Sequence, residues 1–234
     1  MQGWIIPSPK EPSKNSEQYK KEREEKVQWL IRHRYLKSKR LIDAMRKIPR
    51  ENFIPVLYRD YAYLEVPLPL PGEEATISCP HSYPLFYEAL GLDQGHRFLE
   101  VGLGSGYGTA LAREVVGPTG RVVSVEIDPL TFEFAKKNLE GAGYRDIILV
   151  RGDGGLGYPE QAPYDRICIT AACIEIPPAL IEQLETDGRL IAPVIEHGVQ
   201  NLTLFEKSRR GIDRKVICEV LYVSLKGKYG LRHR

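Results

Sequence analysis

The sequence predicts an α/β chain built on a mostly parallel, doubly wound sheet, with a helical addition before it and an antiparallel hairpin after it. Three observations carry that expectation. From residue 97 onward, short apolar runs alternate with helix-length segments, the pattern of βαβ units whose strands are covered on both faces. Four glycines, Gly102, Gly104, Gly106 and Gly108, crowd the turn between the first of those runs and the helix after it. In the last third, two longer apolar runs flank "SRRGID", which reads as a hairpin.

At 234 residues, 42% of them hydrophobic, the chain can build one substantial core plus a small addition, so one compact unit is expected. Residues 1–16 hold Pro7, Pro9 and Pro12 among polar residues and are expected to form a disordered tail. Residues 17–80 should supply the N-terminal helices and a covering loop. Val27, Leu30, Ile31 and Tyr35 share a helical face over roughly 17–35; Leu41, Ile42, Met45 and Ile48 share another from about Ser38, and Pro49 stops it. The stretch from 50 to 80 is rich in proline and aromatic residues and has no sustained period; so long an irregular connection is usually functional. Residues 81–234 should be the main domain, with strands "RFLEV", "RVVSV", "IILV", "DRICIT" and "RLIAPV", helices from about 107, 129 and 177, and the hairpin "NLTLFEK" and "RKVICEVLYVSL".

Composition narrows the function classes. No apolar run approaches the roughly 18 residues of a membrane span, and the N-terminus lacks a signal peptide's basic start and apolar core. A cytoplasmic protein with no membrane partner is expected. The cysteines, Cys79, Cys168, Cys173 and Cys218, include no CxxC pair, and the five histidines are scattered without ligand spacing, so reduced thiols and no metal are expected. Residues 1–50 carry a charge of +8 and the remainder −6. Because acids interleave the bases in "KKEREEKVQW", the basic half reads as a solvated helical face, and no nucleic-acid partner is expected.

The informative core is "FLEVGLGSGYGT". Glycines between a strand and a helix let backbone N–H groups approach a ligand closely. A dinucleotide fingerprint GxGxxG fails in both registers, since Tyr107 and Thr109 stand where the third glycine is needed. GxGxG after an acidic residue resembles instead the first motif of Rossmann-like methyltransferases that bind S-adenosylmethionine. Glu100 is then the candidate partner of the cofactor's ammonium, above the turn of Gly102, Gly104 and Gly106. Glu126, 24 residues beyond Gly102 at the end of the next strand, is placed to accept ribose hydroxyls, with Ile127 beside it. Asp153 and Gly154 follow the third strand, where a carboxylate can receive the adenine amino group.

Upstream, "TISCPH" puts a hydroxyl, a thiol and an imidazole within a few residues, which invites reading it as a hydrolytic nucleophile with its base. With "AMRKIPRENFIP", "YRDYAYLEVPLPL", "APYDRI", "IPPALIEQL" and "VLYVSLKGKYG", it resembles instead the protein-L-isoaspartate (D-aspartate) O-methyltransferase family, from Leu41 to about Tyr229. The resemblance implies methyl transfer from S-adenosylmethionine to the free α-carboxylate of L-isoaspartyl and D-aspartyl residues in damaged proteins, a repair step. It implies Ser78 as the active residue, read here as a hydrogen-bond donor that orients the acceptor carboxylate. It implies Thr76, Ile77 and Ser78 beside the cofactor, Pro80 and His81 at the substrate lip, and Tyr222, Val223 and Ser224 along the bound peptide. Two departures stand out: Ser224 where proline is frequent, and Glu73 and Glu74, expected to face solvent, where glycine or glutamine is frequent. Another methyltransferase acting on RNA or a small molecule, and an inactive cofactor-binding module, remain as alternatives, and the oligomeric state is open.

Overall fold

The computed structural model describes residues 6–230. Its N-terminal layer begins with α1 (Ser16–Arg32) and α2 (Lys39–Lys47). Asn15 and Gln18 start α1 as a reciprocal capping box, each side chain accepting the other's backbone N–H. Helix α1 stops before Tyr35, because the chain turns at Arg34 with φ 63°. Two short 3-10 helices, Arg50–Phe53 and Val56–Tyr61, follow. Next comes a short antiparallel pair, β1 (Leu68–Pro69) with β2 (Thr76–Ile77).

Residues 1–5 of the expected tail lie outside the described residues. In the remainder, Asp60 collects the Ser13 N–H at 3.0 Å, the Ser13 hydroxyl at 2.8 Å and the Tyr19 hydroxyl at 2.6 Å, with Lys10 Nζ at 3.1 Å.

Helix α3 (Ser82–Leu90) leads into a seven-stranded sheet. Its strands are β3 (Arg97–Val101), β4 (Arg121–Glu126), β5 (Ile148–Arg151), β6 (Tyr164–Ile169), β7 (Leu184–Glu196), β8 (Val199–Ser208) and β9 (Gly211–Val220), with α4 (Tyr107–Val116), α5 (Pro129–Gly141) and α6 (Pro178–Gln183) between them. The spatial order is β5-β4-β3-β6-β7-β8-β9. The first five are parallel, and β8 and β9 return antiparallel. Strand pleating divides the core in two. Phe98, Val122, Cys168 and Ile191 pack with the N-terminal helices, α4 and α5; their neighbours Leu99, Val123, Ile167 and Leu190 pack with α6.

Two further boundaries differ from the sequence expectation. Helix α6 ends at Gln183 because β7 starts at Leu184, before "RLIAPV". Strand β9 ends at Val220, where β8 runs out of backbone partners. The Gln200 side chain prolongs the ladder by accepting the Tyr222 N–H at 2.6 Å and donating to its carbonyl at 3.0 Å. Residues 223–225 then pair with Ala172, after β6.

The chain moves from β3 outward to β4 and β5, then crosses to β6 on the other side of β3. A crevice at the strands' carboxyl ends is the result, and such switch points are where ligands bind in open α/β sheets.

Candidate active site

At the end of β3 the chain turns through Gly102 with φ 98°, and a Cβ there would lie 2.2 Å from Thr170 Oγ1. Only glycine fits. Gly104 turns with φ 55° and donates its N–H to Glu126 Oε2 at 3.1 Å. This turn delivers the chain to α4 and borders a cavity of about 790 Å³, ample for a nucleoside-sized ligand.

The three acids at strand ends have different surroundings. Glu100 is 2% exposed, and its carboxylate accepts the hydroxyls of Tyr87 at 3.2 Å, Ser124 at 2.8 Å and Thr109. Burial pushes its pKa up to about 7 against the pull of those donors. A cation arriving beside it would return it to the charged form. Glu126 Oε1 accepts the N–H groups of Ile127 and Asp128, at 3.0 and 3.1 Å. Burial raises its pKa, opposed by these backbone donors. Asp153 is held between its own loop and the C-terminal segment, accepting Gly155 N–H at 2.9 Å and Lys228 N–H at 2.7 Å.

The irregular 50–80 stretch covers the crevice. Thr131 donates its hydroxyl to Pro71 O at 2.7 Å, and Asp128 accepts Glu73 N–H at 3.2 Å, fastening the 71–75 loop to the start of α5. Glu73 turns its side chain outward, 83% exposed, toward Lys226 Nζ at 3.3 Å, and Glu74 is also exposed.

Ser78 is half-buried, and its carbonyl accepts Arg50 Nη2 at 2.7 Å. The Tyr222 phenol lies against the hydroxyls of Ser82 and Ser78, and burial raises its pKa. Cys79 is buried, which pushes its thiol up to about 11 and keeps it protonated. His81 Nδ1 lies 2.6 Å from Glu65 Oε2, while Lys26 Nζ holds Glu65 Oε1 at 2.9 Å. Glu65, Cys79 and His81 bring ligating atoms within 4.8 Å of one another. A metal there would have to compete with the Lys26 ammonium for the carboxylate and deprotonate a thiol of raised pKa, a poor donor set.

One cavity gathers most of the residues singled out from the sequence. Thr76, Ile77, Ser78 and His81 are on its wall from the cover; Glu100, Gly102, Gly104, Glu126, Ile127 and Gly154 from the sheet's carboxyl edge; Tyr222, Val223 and Ser224 from the segment after β9. Three stand behind the wall: Pro80, buried at the turn into α3; Gly106, buried against Leu139; and Asp153. Tyr35, Tyr83 and Thr170 also border the cavity and were not singled out. Thr170 could have been found from its place just beyond β6, at the same edge as Glu126.

The fold and the glycine turn together define a class, the Rossmann-like S-adenosylmethionine-dependent methyltransferases. The family model for protein-L-isoaspartate(D-aspartate) O-methyltransferase matches residues 21–230, and the chain belongs to that family. Curated relatives named protein-L-isoaspartate O-methyltransferase agree. One from Hyperthermus butylicus is 41% identical over 229 residues, covering 94% of this chain and 95% of its own length. Another, from Methanopyrus kandleri, is 42% identical over 216 residues, covering 92% and 95%. A solved protein-L-isoaspartate O-methyltransferase superposes with a TM-score of 0.82 at 36% identity, covering 89% of this chain and 67% of that one. A Plasmodium falciparum structure described as the same activity, in complex with S-adenosyl-L-homocysteine, shares the fold with a TM-score of 0.77 at 23% identity, covering 87% and 98%.

Proposed function

We propose that this chain transfers the methyl group of S-adenosylmethionine to the free α-carboxylate of L-isoaspartyl and D-aspartyl residues in damaged peptides and proteins. The carrying observation is that Ser78, the active residue the motif resemblance implies, lies on the same cavity wall as the Gly102–Gly104 turn and Glu126.

S-adenosylmethionine, when bound, supplies a methyl already activated by its sulfonium. The residues on the wall fit it: Glu126 would accept the ribose hydroxyls, Glu100 would meet the ammonium, and the wall near Gly154 would take the adenine. The acceptor carboxylate is an anion at neutral pH, so no side chain has to remove a proton. The task of the protein is to orient two reactants and exclude water. Ser78 donates a hydrogen bond to one carboxylate oxygen and aims the other at the methyl carbon. With S-adenosylmethionine bound, that oxygen would take the methyl group while the electron pair of the broken carbon–sulfur bond stayed on sulfur. The ester then leaves the site. Attack by the next backbone amide expels methanol and closes a succinimide, and water opens it to aspartyl or isoaspartyl peptide.

The segment 222–224 is suited to a peptide backbone. Tyr222 spends its N–H and carbonyl on Gln200, and Val223 its carbonyl on Ala172. Among the described residues the Val223 N–H has no backbone partner and is offered to the substrate. Main-chain recognition tolerates varied side chains, as repair of many proteins requires. Among the described residues no helix is long and apolar enough to cross a membrane, and all four cysteines are free, in keeping with a reducing cytoplasm.

The test is labelled-methyl transfer from S-adenosylmethionine to paired peptides that differ only in isoaspartate against aspartate. The isoaspartyl peptide alone should be labelled, and equal labelling of both, or of neither, defeats the proposal.

A further inference from the structure

Resting on the reading of Ser78 above, we propose that Arg50 is a positioning residue for the Ser78 hydroxyl, acting through the Ser78 carbonyl. Arg50 opens the first 3-10 turn and is 1% exposed. Its Nε donates to Ala62 O and its Nη2 to Ser78 O, both at 2.7 Å. One planar group therefore ties together two stretches of the cover. The guanidinium carbon also lies 5.6 Å from the Tyr83 ring centre and 5.2 Å from that of Tyr107, and these two rings meet edge to face. Tyr83 borders the cavity, and Tyr107 begins α4 directly behind the glycine turn. Arg50 thus links the backbone that carries the acceptor-orienting hydroxyl to the helix that anchors the methyl donor's cradle.

The chemistry of the contact argues for more than packing. Burying a guanidinium without a carboxylate partner is costly. Adjacent Glu51 is committed to Arg23 at 2.9 Å and Tyr63 at 2.5 Å, and Arg50 Nη1 is buried without a hydrogen-bond partner. A fork of several donors in fixed geometry is the one side chain that can reach two carbonyls while its cation lies against two rings; a lysine ammonium can serve one carbonyl at a time.

The experiment is a double-mutant cycle on kcat with an isoaspartyl peptide, using the full chain with Arg50→Lys, Ser78→Ala and both together. S-adenosylhomocysteine affinity and melting temperature are measured alongside. Arg50→Lys should lower kcat on the order of tenfold to a hundredfold, since small misplacement of an orienting group has effects of that size. S-adenosylhomocysteine affinity should stay within about twofold, and the double variant should be no slower than Ser78→Ala alone. A double variant slowed by the product of the two single losses would show that Arg50 does not act through Ser78. Loss of cofactor affinity matching the loss of kcat would overturn the proposal too, as would an unchanged kcat in Arg50→Lys. Should Arg50→Lys fail to fold, Arg50→Gln is read in the same cycle against the same outcomes. An undiminished kcat in Ser78→Ala sinks the Ser78 reading and this inference with it, whereas multiplicative losses sink this inference alone.

Discussion

Replacing Glu126 with glutamine should separate cofactor binding from stability. The carboxylate accepts three backbone N–H groups, from Gly104, Ile127 and Asp128, at 3.0 to 3.1 Å, and has capacity left for ribose hydroxyls at the cavity wall. Glutamine keeps the shape but has one oxygen and an NH₂. Whichever way the amide turns, a donor faces Gly104 N–H on one side or the Ile127 and Asp128 N–H pair on the other. Hydrogen bonds to a charged acceptor contribute about 1.5–3 kcal/mol each. Toward the ribose hydroxyls the substitution leaves a neutral amide where a carboxylate stood, which should cost about 2–4 kcal/mol of cofactor binding, roughly 30-fold to 1,000-fold in Kd. Burial raises the Glu126 pKa, so the folded state already disfavours this charge, and a neutral side chain removes that cost. The donor facing a backbone N–H is present without ligand too and offsets that gain, so stability without ligand should fall by about 1–2 kcal/mol, less than the loss in binding. Calorimetric titration with S-adenosylhomocysteine, with melting curves in parallel, reads both quantities. A change in Kd under fivefold, or a loss of affinity tracked by an equal loss of stability, would refute the ribose assignment.

Ser78→Ala should lower kcat on the order of tenfold to a hundredfold while leaving S-adenosylhomocysteine affinity within about twofold; a large loss of affinity would place Ser78 at the cofactor instead. Because burial raises the Glu100 pKa to about 7, its ionisation removes stability as pH rises from the ordinary carboxylate range through 7, and Glu100→Gln should flatten that part of the stability profile. If Glu100 meets the ligand's ammonium, S-adenosylhomocysteine binding near pH 6 should release a proton, seen by calorimetry in buffers of different ionisation heat. No release would confine Glu100 to its hydroxyl network. Gly102→Ala forces a Cβ to 2.2 Å from Thr170 Oγ1 at φ 98°, whereas at Gly104 the nearest atom is 3.9 Å away. The first substitution should cost about 3 kcal/mol and the second about 1 kcal/mol, and equal melting shifts would contradict that ranking.

The parallel strands were legible because their apolar runs are short, evenly spaced and bounded by turns, and β3, β4 and β6 fall on "RFLEV", "RVVSV" and "DRICIT" within a residue. Glu100 and Glu126 were legible for the same reason, since a strand's end fixes where an acid must stand. Helix α3 was not: with Tyr83-Pro84 in its first turn it carries a breaker where a helix signal was sought. Asp153 was identified by its place after β5, yet nothing local shows that its side chain turns back to Gly155 and Lys228. Arg50 escaped notice because what distinguishes it is long-range. Its partners lie 12 and 28 residues away, and burial of a cation leaves no periodic trace in a sequence.

The most direct measurement is the fate of the substrate. An isoaspartyl peptide incubated with the chain and S-adenosylmethionine, followed by chromatography and mass analysis, should lose isoaspartate while succinimide and then the normal aspartyl peptide accumulate. Both changes should slow on the order of tenfold to a hundredfold when Ser78→Ala replaces the native chain. Undiminished isoaspartate, or a stable methyl ester formed on the normal aspartyl peptide, would contradict methyl transfer to the isoaspartyl α-carboxylate.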